Sequence, residues 1–95
     1  MDQQLLMKRI LVVDDELDNS NLALKLVLED NGFKVDAFTD PLLALENFKA
    51  GLYVMLILDT NMPKMSGPEL YNEIKKIDNK ARVCFLTATK TYRFS

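Results

Sequence analysis

Two uninterrupted apolar runs in this chain each end in acid: Ile10-Leu11-Val12-Val13 continues into Asp14-Asp15-Glu16, and Val54-Met55-Leu56-Ile57-Leu58 continues into Asp59. A run with no polar residue at alternate positions suits a strand covered on both faces, the situation of a parallel sheet. If both runs are strands lying parallel in one sheet, their terminal carboxylates meet at a single edge. A close pair of like charges there repels by about 4 kcal/mol, so something positive must sit among them. A small hard cation with oxygen ligands meets that need. Mg²⁺ characteristically takes one or two carboxylates and keeps its other positions for water or phosphate.

The rest of the chain alternates short apolar runs with longer amphipathic ones, the pattern of βα units in an open parallel sheet, and no repeat or low-complexity stretch interrupts it. A first strand is expected over about Arg9 to Asp14. It leads into a helix from roughly Leu17 to Asn31, with Leu17, Leu24, Val27 and Leu28 at helical spacing and Asn31-Gly32 as its stop. Phe33-Lys34-Val35-Asp36-Ala37 alternates apolar and polar residues and so belongs at an edge of the sheet. Asp40-Pro41 caps and starts a second helix that turns Leu42, Leu45 and Phe48 inward and closes at Gly51. After the third strand, Ser66 and Glu69 form a capping box, and Leu70, Ile74 and Ile77 make the inward face of a third helix. The fourth strand is expected over Arg82 to Thr87.

Only 95 − 87 = 8 residues follow Thr87, fewer than the roughly 30 that a further βα unit needs. Strand four is therefore expected to present an unpaired hydrophobic edge, and self-association through that edge, by strand pairing or exchange of elements, is expected with it. Tyr92 and Phe94 read as an exposed or partner-covered tail.

Composition removes several function classes. Lys plus Arg is 12 and Asp plus Glu is 14, so the net charge of 12 − 14 = −2 leaves no basic footprint for nucleic acid or anionic lipid. No histidine is present, which excludes Ser-His and Cys-His nucleophile pairs, His metal ligands and an intrinsic phosphohistidine. The three glycines, Gly32, Gly51 and Gly67, cannot write either Gly-rich nucleotide loop. The single Cys84, inside Val83-Cys84-Phe85-Leu86, reads as a small buried hydrophobe, which fits a reducing, cytoplasmic setting. No run of about 18 apolar residues offers a membrane span, and Lys8-Arg9 precedes too short an apolar run to be a signal peptide. Met55, Met62 and Met65 read as packing.

Three segments together resemble the receiver domain of two-component response regulators: Ile10-Leu11-Val12-Val13-Asp14-Asp15-Glu16, then Leu58-Asp59-Thr60-Asn61-Met62-Pro63-Lys64-Met65-Ser66-Gly67, then Val83-Cys84-Phe85-Leu86-Thr87-Ala88, with Thr87 at 87 − 59 = 28 residues beyond Asp59. The resemblance runs from about Lys8 to Lys90 and implies an α/β, flavodoxin-like doubly wound sheet. Its strand order would be 2-1-3-4, with the fifth βα unit missing, residues 1–95 forming one truncated receiver domain. Ligands of such folds sit outside the carboxyl ends of the strands near the switch point. The resemblance further implies that Asp59 accepts a phosphoryl group from a phosphohistidine of a sensor histidine kinase or phosphotransfer protein. Asp14, Asp15, Asp59 and the backbone carbonyl of Asn61 would hold Mg²⁺, and Thr87 would hydrogen-bond a phosphoryl oxygen and act in switching, with small Ala88 leaving room beside it.

The family's fifth strand carries a lysine with no counterpart in this sequence, and Lys90, only 90 − 87 = 3 residues past Thr87, reads as a solvated loop lysine more readily than as its substitute. Three functions from different classes follow. The first is a phosphoaccepting switch, not an enzyme that turns over a substrate. The second is a receiver-like interaction module without productive switching. The third is a Mg²⁺-dependent phosphohydrolase with an aspartate nucleophile, which ranks last because it wants an acid two residues after the nucleophile, where Asn61 stands. Each residue also has a plainer role: Asp14 and Asp15 as helix N-terminal acids, Asn61-Met62-Pro63 as a turn, Thr87 as a strand-ending hydroxyl.

Overall fold

The computed structural model describes residues 8–16, 19–86 and 92–94. Eight elements follow one another: β1 (Lys8–Val13), α1 (Asn19–Asp30), β2 (Phe33–Phe38), α2 (Pro41–Asn47), β3 (Tyr53–Asp59), α3 (Gly67–Ile77), β4 (Val83–Leu86) and β5 (Tyr92–Phe94). The sheet order is β2-β1-β3-β4-β5. Its first four strands are parallel, so the flavodoxin-like 2-1-3-4 arrangement holds. The alternating strand β2 lies at one edge, as its pattern predicts.

The two continuous runs are covered on both faces, and alternate residues of the same strand divide between two cores. Leu11, Val13, Leu56, Leu58 and Val83 pack with Ala44, Phe48, Leu70 and Ile74, which places α2 and α3 on one side. Ile10, Val12, Val35, Ile57 and Cys84 form the other core, against which Leu24 and Leu28 of α1 pack. Met62 lies in the first core, Met65 packs against it, and Met55 packs on the second, so the methionines do fill space. Among the described residues one helix covers the second face where two cover the first, and an apolar groove of about 630 Å³ runs beside α1, lined by Leu24, Leu28, Met55, Ile57 and Cys84. At the amino end of the sheet, Arg9 Nη1 donates to both oxygens of Asp36 (3.2 and 3.0 Å) and the Tyr53 hydroxyl donates to Asp36 Oδ2 (2.8 Å), tying three strands in register.

The helix boundaries follow local chemistry. Asp40 caps α2 by accepting from the Leu42 N–H (2.9 Å), with Pro41 leading the helix. Ser66 and Glu69 make the reciprocal capping box of α3. The inward faces differ from expectation at three positions: Val27 of α1, Leu42 of α2 and Ile77 of α3 are 56%, 47% and 48% exposed. In α2 the buried line runs instead through Pro41 and Ala44 to Phe48, with Leu45 packed beside it. Leu17 lies outside the described residues, and α1 begins at Asn19.

One expectation is overturned outright. The β4 edge is not unpaired: Tyr92–Phe94 returns antiparallel along it, with Cys84 opposite Phe94, Phe85 opposite Arg93 and Leu86 opposite Tyr92. A bare edge carries a row of unsatisfied N–H and C=O groups, and the nearest extended segment of the same chain takes them up. The expected tail is a strand, and the reason given for self-association through that edge is removed. Among the described residues, no helix is long and apolar enough to cross a membrane.

Candidate metal and phosphoacceptor site

β1 and β3 are neighbours in parallel register, with Val13 opposite Leu58. The residue after each therefore emerges at the same carboxyl edge of the sheet. That register is set by the apolar runs themselves, since a slip of one residue would turn every core side chain to the wrong face. Asp14, Asp15 and Asp59 each offer a carboxylate oxygen there, and these atoms lie within 4.8 Å of one another. Asp14 is fully buried, whereas Asp15 and Asp59 are partly open to solvent.

Each strand end turns in the same way. The Glu16 N–H donates to Asp14 Oδ1 (2.9 Å), and the Asn61 N–H donates to Asp59 Oδ1 (3.2 Å). A carboxylate accepting from its own backbone two residues on is the Asx turn that Asp favours after a strand. The Asp14 N–H donates to the Phe38 carbonyl (3.0 Å), which ties the β1 end to β2. On the other side the Thr60 N–H and Oγ1 both donate to the Leu86 carbonyl, at 3.0 and 2.6 Å, tying the β3 end to β4. Lys64 on the following loop pairs with Asp40 at 2.9 Å, an exposed contact that joins the loop to the α2 cap.

Burial chiefly, and the neighbouring Asp14 and Asp15 after it, push the Asp59 carboxyl up to about 6, against the lowering effect of the Asn61 N–H. Folded protein thus holds this proton more tightly than unfolded chain does. The stability tied to it is present below about pH 4 and is lost as pH rises through about 6. In chelator, the melting temperature of the wild-type chain relative to Asp59→Asn is therefore expected to fall between pH 4 and pH 7, and a constant difference across that range would contradict the shift.

Of the residues singled out from sequence, Asp14, Asp15 and Asp59 come together, and Asn61 adjoins them through its N–H. Thr87 and Lys90 lie outside the described residues, and Leu86 is the last described position of β4. Two further residues of the Leu58 to Gly67 segment take part through main-chain contacts that their positions in the sequence did not announce. Gly67, at the first position of α3, approaches the Asp59 backbone so closely that a Cβ there would lie 2.3 Å from the Asp59 carbonyl oxygen. Its N–H donates to the Thr60 carbonyl at 3.0 Å. Thr60 is the other, through the double bond to Leu86.

A family model for the response regulator receiver domain matches residues 10–94. The CpxR homolog of Haemophilus influenzae, a transcriptional regulatory protein, is 38% identical over 82 residues, 86% of this chain and 35% of that protein. The response regulator TrrA of Thermotoga maritima, solved in complex with Mg²⁺-BeF, is 44% identical and superimposes with a TM-score of 0.76 over 86% of this chain and 70% of its own. A chain of the complex of histidine kinase ThkA with TrrA gives the same identity and TM-score, 44% and 0.76, over 92% of this chain and 74% of its own. The chain spans about a third of the length of the curated relatives it matches, 35% and 38% for the first two. With the fold, the order of its motifs and the family match in agreement, the chain belongs to the response regulator receiver domains of two-component systems.

Proposed function

We propose that the chain is a phosphoaccepting receiver in which Asp59 takes a phosphoryl group from a phosphohistidine of a histidine kinase or phosphotransfer protein, and that it works as a regulatory switch. The single observation that carries this reading is the convergence of Asp14, Asp15 and Asp59, within 4.8 Å, at the carboxyl ends of adjacent parallel strands. Three carboxylates with no nitrogen or sulfur ligand form a donor set suited to a hard cation. Asp14, Asp15, Asp59 and the Asn61 carbonyl would hold Mg²⁺. When bound, the metal supplies neutralisation of the anionic charge that gathers during phosphoryl transfer.

The protein's own part is positioning. An Asp59 oxygen forms the new bond to phosphorus as the N–P bond of the phosphohistidine breaks, and the imidazole leaves with the electron pair. The Asn61 N–H on Oδ1 holds the carboxylate in one orientation, and Asp14, held by the Glu16 N–H, fixes the floor of the site. Thr87, one residue beyond β4, would hydrogen-bond the incoming phosphoryl oxygen. Asn61 stands where a phosphohydrolase of this kind would place its second acid, so turnover of phosphate esters ranks behind phosphoacceptance.

A kinase-bearing relative complex and a Mg²⁺-BeF complex among similar structures support the choice of partner class and of metal. A second reading, a receiver-like interaction module without productive switching, is favoured by one observation: Tyr92–Phe94 runs antiparallel on the β4 edge and contains no lysine to pair with a phosphoryl group. Incubation of the chain with Mg²⁺ and a small acyl phosphate, read by intact mass, distinguishes the two. The switch gains one phosphoryl group, the gain disappears on adding chelator, and Asp59→Asn shows none. A wild-type chain whose mass does not change leaves the module reading.

A further inference from the structure

We infer that Thr60 is a positioning residue of the phosphoryl site: its hydroxyl locks the peptide that leads into Thr87 to the strand end that carries Asp59. The inference rests on the phosphoacceptor reading above and adds a residue to it. The Leu86 carbonyl accepts two hydrogen bonds from this one residue, from the N–H at 3.0 Å and from Oγ1 at 2.6 Å. The first is the ordinary continuation of the β3–β4 ladder, in which Asp59 stands opposite Leu86. The second is additional, and at 2.6 Å it lies at the short end of O–H···O distances. Two donors on one oxygen use both of its lone pairs and leave the carbonyl one direction in which to point.

The consequence passes through a covalent constraint. The Leu86 C=O is part of a planar peptide unit, so an orientation imposed on the carbonyl is imposed on the plane in which β4 ends. Thr60 can act as the anchor because it is itself held from the other side, where its carbonyl accepts from the Gly67 N–H at 3.0 Å. The clasp therefore joins the β3 end, the β4 end and the start of α3 around the phosphoacceptor. Nothing in strand packing demands the hydroxyl, since valine has the same branched shape and similar strand preference. What the hydroxyl adds is the second bond. Catalytic hydrogen bonds lose much of their value with displacements of about 1 Å, so the rotation of one peptide plane at the end of β4 is enough to matter beside Asp59.

Calorimetric titration of the whole chain tests this with two probes, Mg²⁺ alone and beryllofluoride in saturating Mg²⁺, the anion standing for the phosphoryl group on Asp59. Thr60→Val is expected to bind Mg²⁺ as the wild type does but to need about three- to tenfold more beryllofluoride, the weight of one net hydrogen bond. Thr60→Ser keeps the hydroxyl and should restore wild-type affinity. In a Thr87→Ala background Thr60→Val should add nothing, because the partner through which it acts is gone. Thr60→Ala repeats the measurement should the valine variant fold poorly.

Equal beryllofluoride affinity in wild type and Thr60→Val, with only the melting temperature lowered, would overturn the inference and leave a purely structural clasp. So would a full additional loss on top of Thr87→Ala. A wild-type chain that binds no beryllofluoride in Mg²⁺ would instead sink the phosphoacceptor reading itself.

Discussion

Gly67→Ala is expected to lower the melting temperature by about 8 to 16 °C and to weaken Mg²⁺ binding with it. The new Cβ would lie 2.3 Å from the Asp59 carbonyl oxygen, 3.0 Å from its carbonyl carbon and 3.2 Å from the Thr60 Cα. All three are backbone atoms of the strand end that presents the phosphoacceptor, so no side-chain rotation relieves the contact. Two effects compete. Alanine is the better helix former by about 1 kcal/mol, and it also reduces the freedom of the unfolded chain. Overpacking against rigid backbone costs about 3 kcal/mol, the upper end of its usual range. The clash wins by about 2 kcal/mol, and at roughly 4 to 8 °C per kcal/mol for a domain of this size the stated shift follows.

Relief must come either from α3 moving outward, which stretches the 3.0 Å Gly67 N–H bond to Thr60, or from a tilt of the Asp59 peptide. The second displaces the Asp59 carboxylate from Asp14 and Asp15 directly, and the first loosens the Thr60 peptide that follows it. Thermal denaturation in chelator and in excess Mg²⁺ measures the two consequences separately. An alanine variant that melts within about 2 °C of the wild type would show that the approach relaxes at little cost.

How far the site could be read before the fold was seen depends on which residues make it. The three carboxylates were legible because each ends an apolar run, and a run covered on both faces can only be an inner strand of a parallel sheet. Once Ile10 to Val13 and Leu56 to Leu58 are adjacent, the meeting of Asp14, Asp15 and Asp59 follows from register alone. Gly67 and Thr60 were not legible, because each works through a contact with main chain distant in sequence or in another element. The 2.3 Å approach to Asp59 and the hydroxyl bond to Leu86 leave no pattern along the chain.

The helix faces show a different limit. α1 carries Leu24, Leu26, Val27 and Leu28, more apolar residues than one face takes, and periodicity did not tell that Leu24 and Leu28 pack while Leu26 and Val27 stay exposed. In α2, Ala44 is buried in place of the larger Leu42, since a small side chain is what lets the helix approach the sheet closely. β5 was missed for a third reason. Three residues carry too little pattern to announce a strand, and what recruits them is the open edge of β4 rather than anything in their own sequence.

Asp14→Asn is expected to stabilise the metal-free protein while removing most of its response to Mg²⁺. Asp14 is 0% exposed and shares the site with Asp15 and Asp59, all three offering oxygens within 4.8 Å of one another. Its charge is one of the causes that, after burial, hold the Asp59 carboxyl up at about 6. Asparagine keeps the shape and the Oδ1 that accepts from the Glu16 N–H, so the Asx turn survives. The repulsion removed has an upper bound of about 4 kcal/mol per close pair, and solvent access at Asp15 and Asp59 reduces it to about 1 to 2 kcal/mol. In chelator at pH 7.5 the variant should melt about 5 to 15 °C higher than the wild type.

In saturating Mg²⁺ the variant's lead is expected to shrink to near zero. The wild type gains stability in proportion to the logarithm of metal over its dissociation constant, whereas the variant has lost a full carboxylate ligand. Its affinity should fall at least about tenfold, which withdraws about 1.4 kcal/mol of that gain. The two effects share one cause, since the charge that destabilises the metal-free fold is the charge the cation binds. A variant that melts like the wild type in chelator yet still loses Mg²⁺ would break that link, and would mean that the Asp14 charge is offset within the protein before any metal arrives.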